Sequence, residues 1–471
     1  MHTFGVYIDG EWQQTPNILK VMNPVDNSTV GNVAKAGENE ALAAVHAAQQ
    51  ALDSWSVTTA YERANLLKLW YEAIEQEKID IAKTLTMEQG KPLKEAISEI
   101  DYANQFILWY AEEAKRVYGE TIPSLDKSKR IIVNKKPIGV VAAITPWNFP
   151  AAMITRKVSP ALAAGCTVVI KPSELTPLTA YRLVLLADKV GFPKGVINIV
   201  TGDPIKIGDI WLNDKRVRKI TFTGSTPVGK YLMKGASYTV KKVSLELGGH
   251  APTIVLKDAD LDFAAETILA GKFRNAGQTC VCPNRIYVQK EVVEKFIDIF
   301  SKKAKKLVVG NGLDEGVDMG PLISDQAVHK VIKQVQDAVD KGATLIGELP
   351  GSRMVKPIIL TNVNNEMRCM NEETFGPLAP IMSIEDEEEA IRLANNSEYG
   401  LAAYVFTSHL EKAFKLSEAL EYGIVGINDT LPSIVQAPFG GMKQSGIGRE
   451  GGHHGLDEFL EIQYVSMKLH S

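Results

Sequence analysis

Three features of the sequence predict an α/β protein built around a doubly wound parallel sheet. Short apolar, β-branched runs alternate with helix-sized segments from residue 140 to 250. A parallel sheet covered by helices on both faces leaves that pattern in a chain. A second alternating section runs from Thr253 to about Gly440, and a length of 471 residues exceeds one ordinary domain, so two or three units are expected.

In chain order, residues 38–54 read as a helix, with Ala41, Leu42, Val45, Ala48 and Leu52 at helical spacing. Residues 61–118 keep a helical period, broken near Gly90-Lys91-Pro92. Packing accounts for that stretch, and no chemistry is assigned to it. Residues 130–134 and 140–144 are two short β-rich runs split by Pro137 and Gly139. The strands that follow are 167–170, 196–200, 219–223 and 243–247, and helices fit 151–164, 179–190, 205–212 and 228–234. In the second section 253–256 and 285–289 read as strands and 292–307 as a helix. A glycine- and acid-rich connector spans 310–320. The acids of 385–389 open a helix, where they suit the positive end of its dipole. Residues 459–465 form a final strand.

Composition narrows the function classes. A hydrophobic fraction of 45% and a charged fraction of 23% are those of a soluble globular protein. The net charge of -4 gives no electrostatic case for nucleic acid or an anionic membrane. The basic runs at 127–130 and 302–306 read as solvated faces. Four cysteines (Cys166, Cys280, Cys282, Cys369) are too few for a disulfide scaffold and fit a reducing compartment. Residues 1–10 lack a basic region followed by an apolar core, and no apolar run approaches the ~20 residues that span a bilayer. A cytoplasmic protein without a metal site is expected.

Ligands of such sheets sit beyond the carboxyl ends of the strands, so those positions decide the chemistry. After the first strand comes Thr145-Pro146-Trp147-Asn148-Phe149-Pro150, where Asn148 can donate an amide N–H to a developing oxyanion. After the second comes Lys171-Pro172-Ser173-Glu174. The lysine can bond ribose or phosphate, and Glu174 can accept from both hydroxyls of an adenosine ribose. That carboxylate repels a 2′-phosphate, which favours NAD over NADP. After the fourth comes Gly224-Ser225-Thr226-Pro227-Val228-Gly229, a loop feeding a helix N-terminus and a natural phosphate cradle. It is not a P-loop, because Tyr231 stands where that motif needs Ser or Thr, and the G-x-G-x-x-G fingerprint is missing here. After the fifth comes Glu246-Leu247-Gly248-Gly249: Glu246 is either a general base with room for water or a solvated, capping acid. The stretch from Lys272 to Cys282 holds Cys280 behind a flexible Gly277, with Arg274 six residues before it. A free cysteine is either a small buried hydrophobe or, as thiolate, a strong nucleophile.

Together these stretches resemble the aldehyde dehydrogenase superfamily, and the resemblance covers essentially the whole chain. Residues 145–150, 171–174, 222–229, 245–249, 277–280, Glu373-Thr374-Phe375-Gly376-Pro377 and Pro438-Phe439-Gly440-Gly441 fall in that family's order and approximate spacing. Seven in order make coincidence implausible. The resemblance implies a Rossmann-type NAD-binding domain over 1–117 and 137–247 and an α/β catalytic domain over 248–447. It also implies a small β oligomerisation element from 118–136 and 456–471, and a homodimer or homotetramer. It implies Cys280 as nucleophile, Asn148 with the Cys280 backbone N–H as oxyanion hole, and Glu246 as general base. Cofactor contacts follow at Thr145, Pro146, Trp147, Lys171, Ser173, Glu174, Gly224, Ser225, Gly229, Leu247, Glu373 and Phe375. NAD is the preferred cofactor, with NADP as the alternative.

A finer signature resembles succinate-semialdehyde dehydrogenases, in which positions matching Arg156, Arg274 and Ser433 bind the substrate carboxylate. Guanidinium pairs with carboxylate bidentately, although either arginine alone is equally explained by an interface ion pair. Glutarate semialdehyde, one methylene longer, is the alternative, since a methylene gives only ~1–3 kcal/mol of discrimination. The same resemblance suggests a reversible Cys280–Cys282 disulfide, and an extended segment would put residues two apart on one face. Packing explains Cys282 as well. Pro283 and Leu431-Pro432 depart from the subfamily pattern, the latter next to the pocket. Glu450 is a candidate to relay protons to Glu246. A CoA-acylating enzyme is disfavoured by Glu246, a non-catalytic scaffold protein by the intact Cys280, Glu246 and Asn148, and a cofactor-free thiol hydrolase by the Lys171–Glu174 pair.

Overall fold

The computed structural model describes residues 2–469. Five parallel strands lie side by side in the order Lys242–Glu246, Val217–Thr223, Val140–Ile144, Thr167–Lys171, Ile197–Ile199. The chain enters at Val140–Ile144, winds outward through the next two strands, then crosses back to build the other side. The order therefore reverses beside Val140–Ile144, which makes the crevice at its carboxyl end a topological switch point. Val140–Ile144 and Thr167–Lys171 are buried at every residue, as expected of strands covered on both faces, and the first is apolar throughout. The sequence reading did not include the antiparallel edges of this sheet: Val6–Ile8 with Glu11–Gln13 on one side, Gly446–Ile447 on the other.

A second sheet of seven strands has the order Thr344–Ile346, Ile358–Thr361, Leu378–Ile384, Pro283–Gln289, Ala251–Val255, Ala402–Phe406, Ile424–Ile427, parallel except at Thr344–Ile346. It has its own apolar core, including Ile254, Ile286, Val331 and Tyr404. Ala251–Val255 and Pro283–Gln289 match expected strands; the outer strands and the helix Asp325–Asp340 were not among the expectations.

Glu120–Ile122, Lys129–Pro137 and Leu460–Lys468 form a separate antiparallel sheet, paired from Leu460↔Pro137 to Lys468↔Lys129. Ile462 and Tyr464 on it are 74% and 60% exposed.

The stretch expected to be helical over 61–118 is so up to residue 116, with the expected break. Ala60–Gln89 ends at Gly90, and Leu93–Glu113 follows Pro92. Gly90 has φ 99°, and a Cβ there would sit 2.8 Å from Pro321. Glycine alone meets both demands. Among the described residues no helix is long and apolar enough to cross a membrane.

Candidate active site

Cys280 is aimed by an unusual backbone. The helix Leu261–Phe273 ends, and Asn275, Ala276 and Gly277 then take φ of 50°, 55° and 74°. Asparagine and glycine tolerate that region, but for alanine it costs roughly 1–2 kcal/mol. Gly277 is pressed so closely on the 373–377 loop that a Cβ would lie 2.2 Å from the Gly376 carbonyl oxygen. Strain held in this way by its surroundings is typical of reactive sites. Cys280 is partly open to solvent. Burial pushes its thiol up to about 12, with Arg156 pulling against that shift and Glu246 and Glu373 adding to it. Its own backbone N–H faces the sulfur and eases it downward. Raised thiols react as their thiolate fraction grows. Without cofactor, alkylation of Cys280 by iodoacetamide is therefore expected to speed up about tenfold per pH unit from 7 to 9. A plateau in that range would show a thiolate already formed.

The expectation that Cys280 and Cys282 share one face of an extended segment is corrected here. Thr279 to Cys282 is a turn, closed by the Cys282 N–H donating to Thr279 O at 3.2 Å. Cys282 is fully buried, and Lys272 Nζ lies 3.3 Å from its sulfur. All four cysteines are free.

Asn148 lies in the loop after Val140–Ile144, next to the nucleophile turn. Its Nδ2 donates to Gln278 O at 3.1 Å, leaving its second amide proton for a ligand. Its own backbone carbonyl accepts from Lys91 Nζ at 2.8 Å and Asn275 Nδ2 at 3.1 Å. Here the sequence reading missed residues. The helical stretch given no chemistry supplies Gln89, Lys91, Glu95 and Glu99 to the rear of the site. Glu95 accepts the Asn275 N–H at 2.9 Å, and Gln89 Nε2 donates to Asn275 Oδ1 at 2.9 Å. The available signal was a helix break flanked by Glu88, Gln89 and Lys91 instead of turn residues.

Glu246 ends the strand Lys242–Glu246, which lies between Val217–Thr223 and Gly446–Ile447, and Leu247 is tied down by its N–H to Ser445 O at 2.9 Å. Only 4% of Glu246 is exposed, and its Oε2 has no hydrogen-bond partner among the described residues. Burial raises its carboxyl well above the usual range, Glu450 adds to that, and Arg156, Lys157 and Arg449 pull the other way. Burial pushes Glu450 up too, but Lys157 and Arg156 outweigh it and hold that carboxyl below the ordinary value. Lys157 Nζ bonds Glu450 and, at 2.6 Å, Thr223 Oγ1. Two neighbouring carboxyls pushed apart in this way suit acid–base work. Gly440 packs against the base: a Cβ there would stand 2.8 Å from Glu246 Oε1.

The expected cofactor residues line the carboxyl ends of the parallel strands. Thr145 N–H donates to Lys171 O at 3.1 Å, and Pro146 and Trp147 continue that loop, half-buried. Lys171 Nζ bonds Pro172 O at 3.1 Å and Glu174 Oε2 at 3.2 Å, with the Glu174 side chain 44% exposed. Ser173 Oγ accepts from Leu175 N–H at 3.2 Å. Gly224 lies against Phe222, where a Cβ would fall 2.3 Å from the ring, and Gly229 lies 2.4 Å by the same measure from Leu247, so the helix Thr226–Ser237 packs close on its strand. Ser225 stands at the N-cap of that helix, and its hydroxyl makes no capping bond. On the far side Glu373 Oε1 accepts from Gly249 N–H at 2.9 Å. Phe375, at φ 56°, meets Trp147 edge-on at 5.6 Å.

The two arginines differ. Arg156 is buried, paired with Glu450 at 2.8 Å and set over Phe439 at 4.1 Å. Arg274 is half-buried over Phe149 at 5.0 Å and forms no ion pair among the described residues. Ser433 is half-buried in an irregular stretch. Among the described residues no group of three or more His, Cys, Asp or Glu is placed to hold a metal ion.

The aldehyde dehydrogenase family profile matches residues 12–465. The succinate-semialdehyde dehydrogenase [NADP(+)] of Escherichia coli K12 is 50% identical over 468 residues, 98% of this chain and 97% of that protein. The glutarate-semialdehyde dehydrogenase of Pseudomonas putida KT2440 is 50% identical over 467 residues, with the same coverage of 98% and 97%. A crystal structure of an aldehyde dehydrogenase from Brucella melitensis biovar abortus superposes with a TM-score of 0.98 at 50% identity, covering 99% of this chain and 98% of that one.

Proposed function

The chain belongs to the aldehyde dehydrogenase family, and from that footing we propose that it oxidises an aldehyde bearing a carboxylate at its far end, with succinate semialdehyde as the first choice. The observation that carries this reading is Arg274, a half-buried guanidinium without an ion pair among the described residues, six positions before the nucleophile. A partly desolvated cation gains most from an anion that arrives with the substrate.

NAD(P) supplies the hydride acceptor when bound, and the chain has features that fit it: the Ser225 hydroxyl, which makes no capping bond, at a helix N-terminus, the close Gly229 packing, and Lys171 with Glu174 at a strand end. The remaining steps belong to the chain's own residues. Cys280 Sγ, as thiolate, bonds to the carbonyl carbon. The oxygen becomes an oxyanion that Asn148 Nδ2 and the Cys280 N–H receive. After oxidation a thioester remains on Cys280. Glu246 takes a proton from water as that water attacks, the C–S bond breaks and the carboxylate leaves. Glu450, joined to Lys157, is the next group along which that proton can depart.

Glu174 favours NAD, because its carboxylate suits free ribose hydroxyls and repels a 2′-phosphate; the printed name of the Escherichia coli relative makes NADP the cofactor to compare. The antiparallel sheet that exposes Ile462 and Tyr464 is our candidate for joining copies into a dimer or tetramer.

Replacing Arg274 tests the substrate. Arg274→Ala is expected to raise KM for succinate semialdehyde about 30-fold or more, in line with the ~2–5 kcal/mol for losing one partner of a buried charge pair, while KM for an uncharged aldehyde moves little. Equal losses on both would remove the carboxylate reading. Comparing succinate with glutarate semialdehyde in the wild type decides the chain length.

A further inference from the structure

We propose that Lys91 is a positioning residue for acyl transfer: it fixes the peptide that aims the Asn148 amide at the oxyanion. This rests on the reading of Asn148 as an oxyanion donor. Lys91 follows the Gly90 break, and its side chain is fully buried. Its Nζ donates to Glu99 Oε2 at 2.6 Å and to the Asn148 carbonyl at 2.8 Å, and lies 3.9 Å from the centre of the Phe149 ring. The other Glu99 oxygen accepts the Ala151 N–H at 2.9 Å, at the start of the helix Ala152–Ala164.

The contacts close into a ring. The Lys91 N–H donates to Gln89 Oε1 at 3.0 Å, Gln89 Nε2 to Asn275 Oδ1 at 2.9 Å, and Asn275 Nδ2 to the Asn148 carbonyl at 3.1 Å. Asn148 Nδ2 and Asn275 Nδ2 meet again on the Gln278 carbonyl, at 3.1 and 3.3 Å, two residues before the nucleophile. One buried network thus holds the oxyanion loop and the turn that carries Cys280.

Stability does not account for it. A buried ion pair can often be replaced by apolar side chains without loss. An apolar pair at 91 and 99 could not bond the Asn148 carbonyl and the Ala151 N–H together. Only the polar pair fixes both flanks of the loop, and misplacing a catalytic group by about 1 Å can cost about a hundredfold in rate.

The test uses the full chain saturated with cofactor and compares Lys91→Met, Lys91→Met/Glu99→Gln, Asn148→Ala and Lys91→Met/Asn148→Ala. In the second variant the amide oxygen introduced at position 99 can still accept the Ala151 N–H, so no bare carboxylate is stranded. Both Lys91→Met and Lys91→Met/Glu99→Gln should lower kcat about a hundredfold on charged and uncharged aldehydes alike. The KM for cofactor and the rate of Cys280 alkylation by iodoacetamide, which builds no oxyanion, should stay within about twofold. In the Asn148→Ala background, Lys91→Met should cost less than about threefold further. The proposal is overturned if alkylation falls together with oxidation, if the Lys91 and Asn148 losses multiply, or if the charge-balanced variant keeps full kcat. If Asn148→Ala itself is fully active, the oxyanion reading fails and this one with it. A harmful Asn148→Ala beside a silent Lys91→Met would sink the Lys91 proposal alone.

Discussion

Cys280→Ala is expected to remove cofactor reduction almost entirely, by at least about four orders of magnitude, as with other enzymes stripped of their covalent nucleophile. The substitution deletes one sulfur at a partly exposed turn position and leaves no large void, so folding and cofactor affinity should persist. Nothing nearby replaces the lost group. Cys282 is two residues away, but it is fully buried and its sulfur is held against Lys272 Nζ at 3.3 Å. An aldehyde hydrogen departs as hydride only after its carbon becomes tetrahedral, and here the thiolate makes it so. The absorbance of the reduced nicotinamide is the readout. NADH formation surviving in the alanine variant would require a different nucleophile and would undo the mechanism.

The second large effect should separate the two halves of the reaction. Glu246→Gln is expected to keep a first-turnover burst of NADH while steady turnover falls about 10²–10⁴-fold, the usual worth of a general base. The acyl group then stays on Cys280, and intact-protein mass spectrometry should find the chain heavier by that group. Glutamine fills the same space, so the contact with Gly440 is kept. The pH behaviour follows from the direction of the shift. A carboxyl held well above its usual range is protonated at low pH and becomes a base as pH rises. Wild-type hydrolysis of the thioester should therefore quicken with rising pH, and the glutamine variant should lose that limb. If the variant shows no burst and no acyl adduct, Glu246 acts on the thiol instead of on water.

The strand-end residues were legible in the sequence because the fold itself makes them so. Runs such as Val140–Ile144 and residues 168–170 are apolar throughout, and the polar residues that follow them, Thr145 and Asn148 after the first and Lys171 to Glu174 after the second, must then lie at the carboxyl edge of the sheet. The Lys91 network could not be found that way. Its bond to the Asn148 carbonyl spans 57 positions and leaves no periodicity. Ala276 gives no hint of its left-handed backbone, since alanine is the residue least expected there. The shared-face argument for Cys280 and Cys282 assumed a strand where the chain makes a turn. The short antiparallel strands Val6–Ile8 and Glu11–Gln13 have too few residues for alternation to register.

The Arg274 guanidinium over Phe149, without an ion pair among the described residues, also bears on how substrate arrives. The whole chain carries a net charge of -4, so its overall charge does not draw in an anionic aldehyde, and the local attraction that Arg274 offers has to act against that background. Attraction of that reach is governed by ionic strength, for the screening length contracts from about 10 Å at 0.1 M salt to about 3 Å at 1 M. Added salt should therefore erode the advantage of an anionic aldehyde over a neutral one, without touching the chemistry at sulfur.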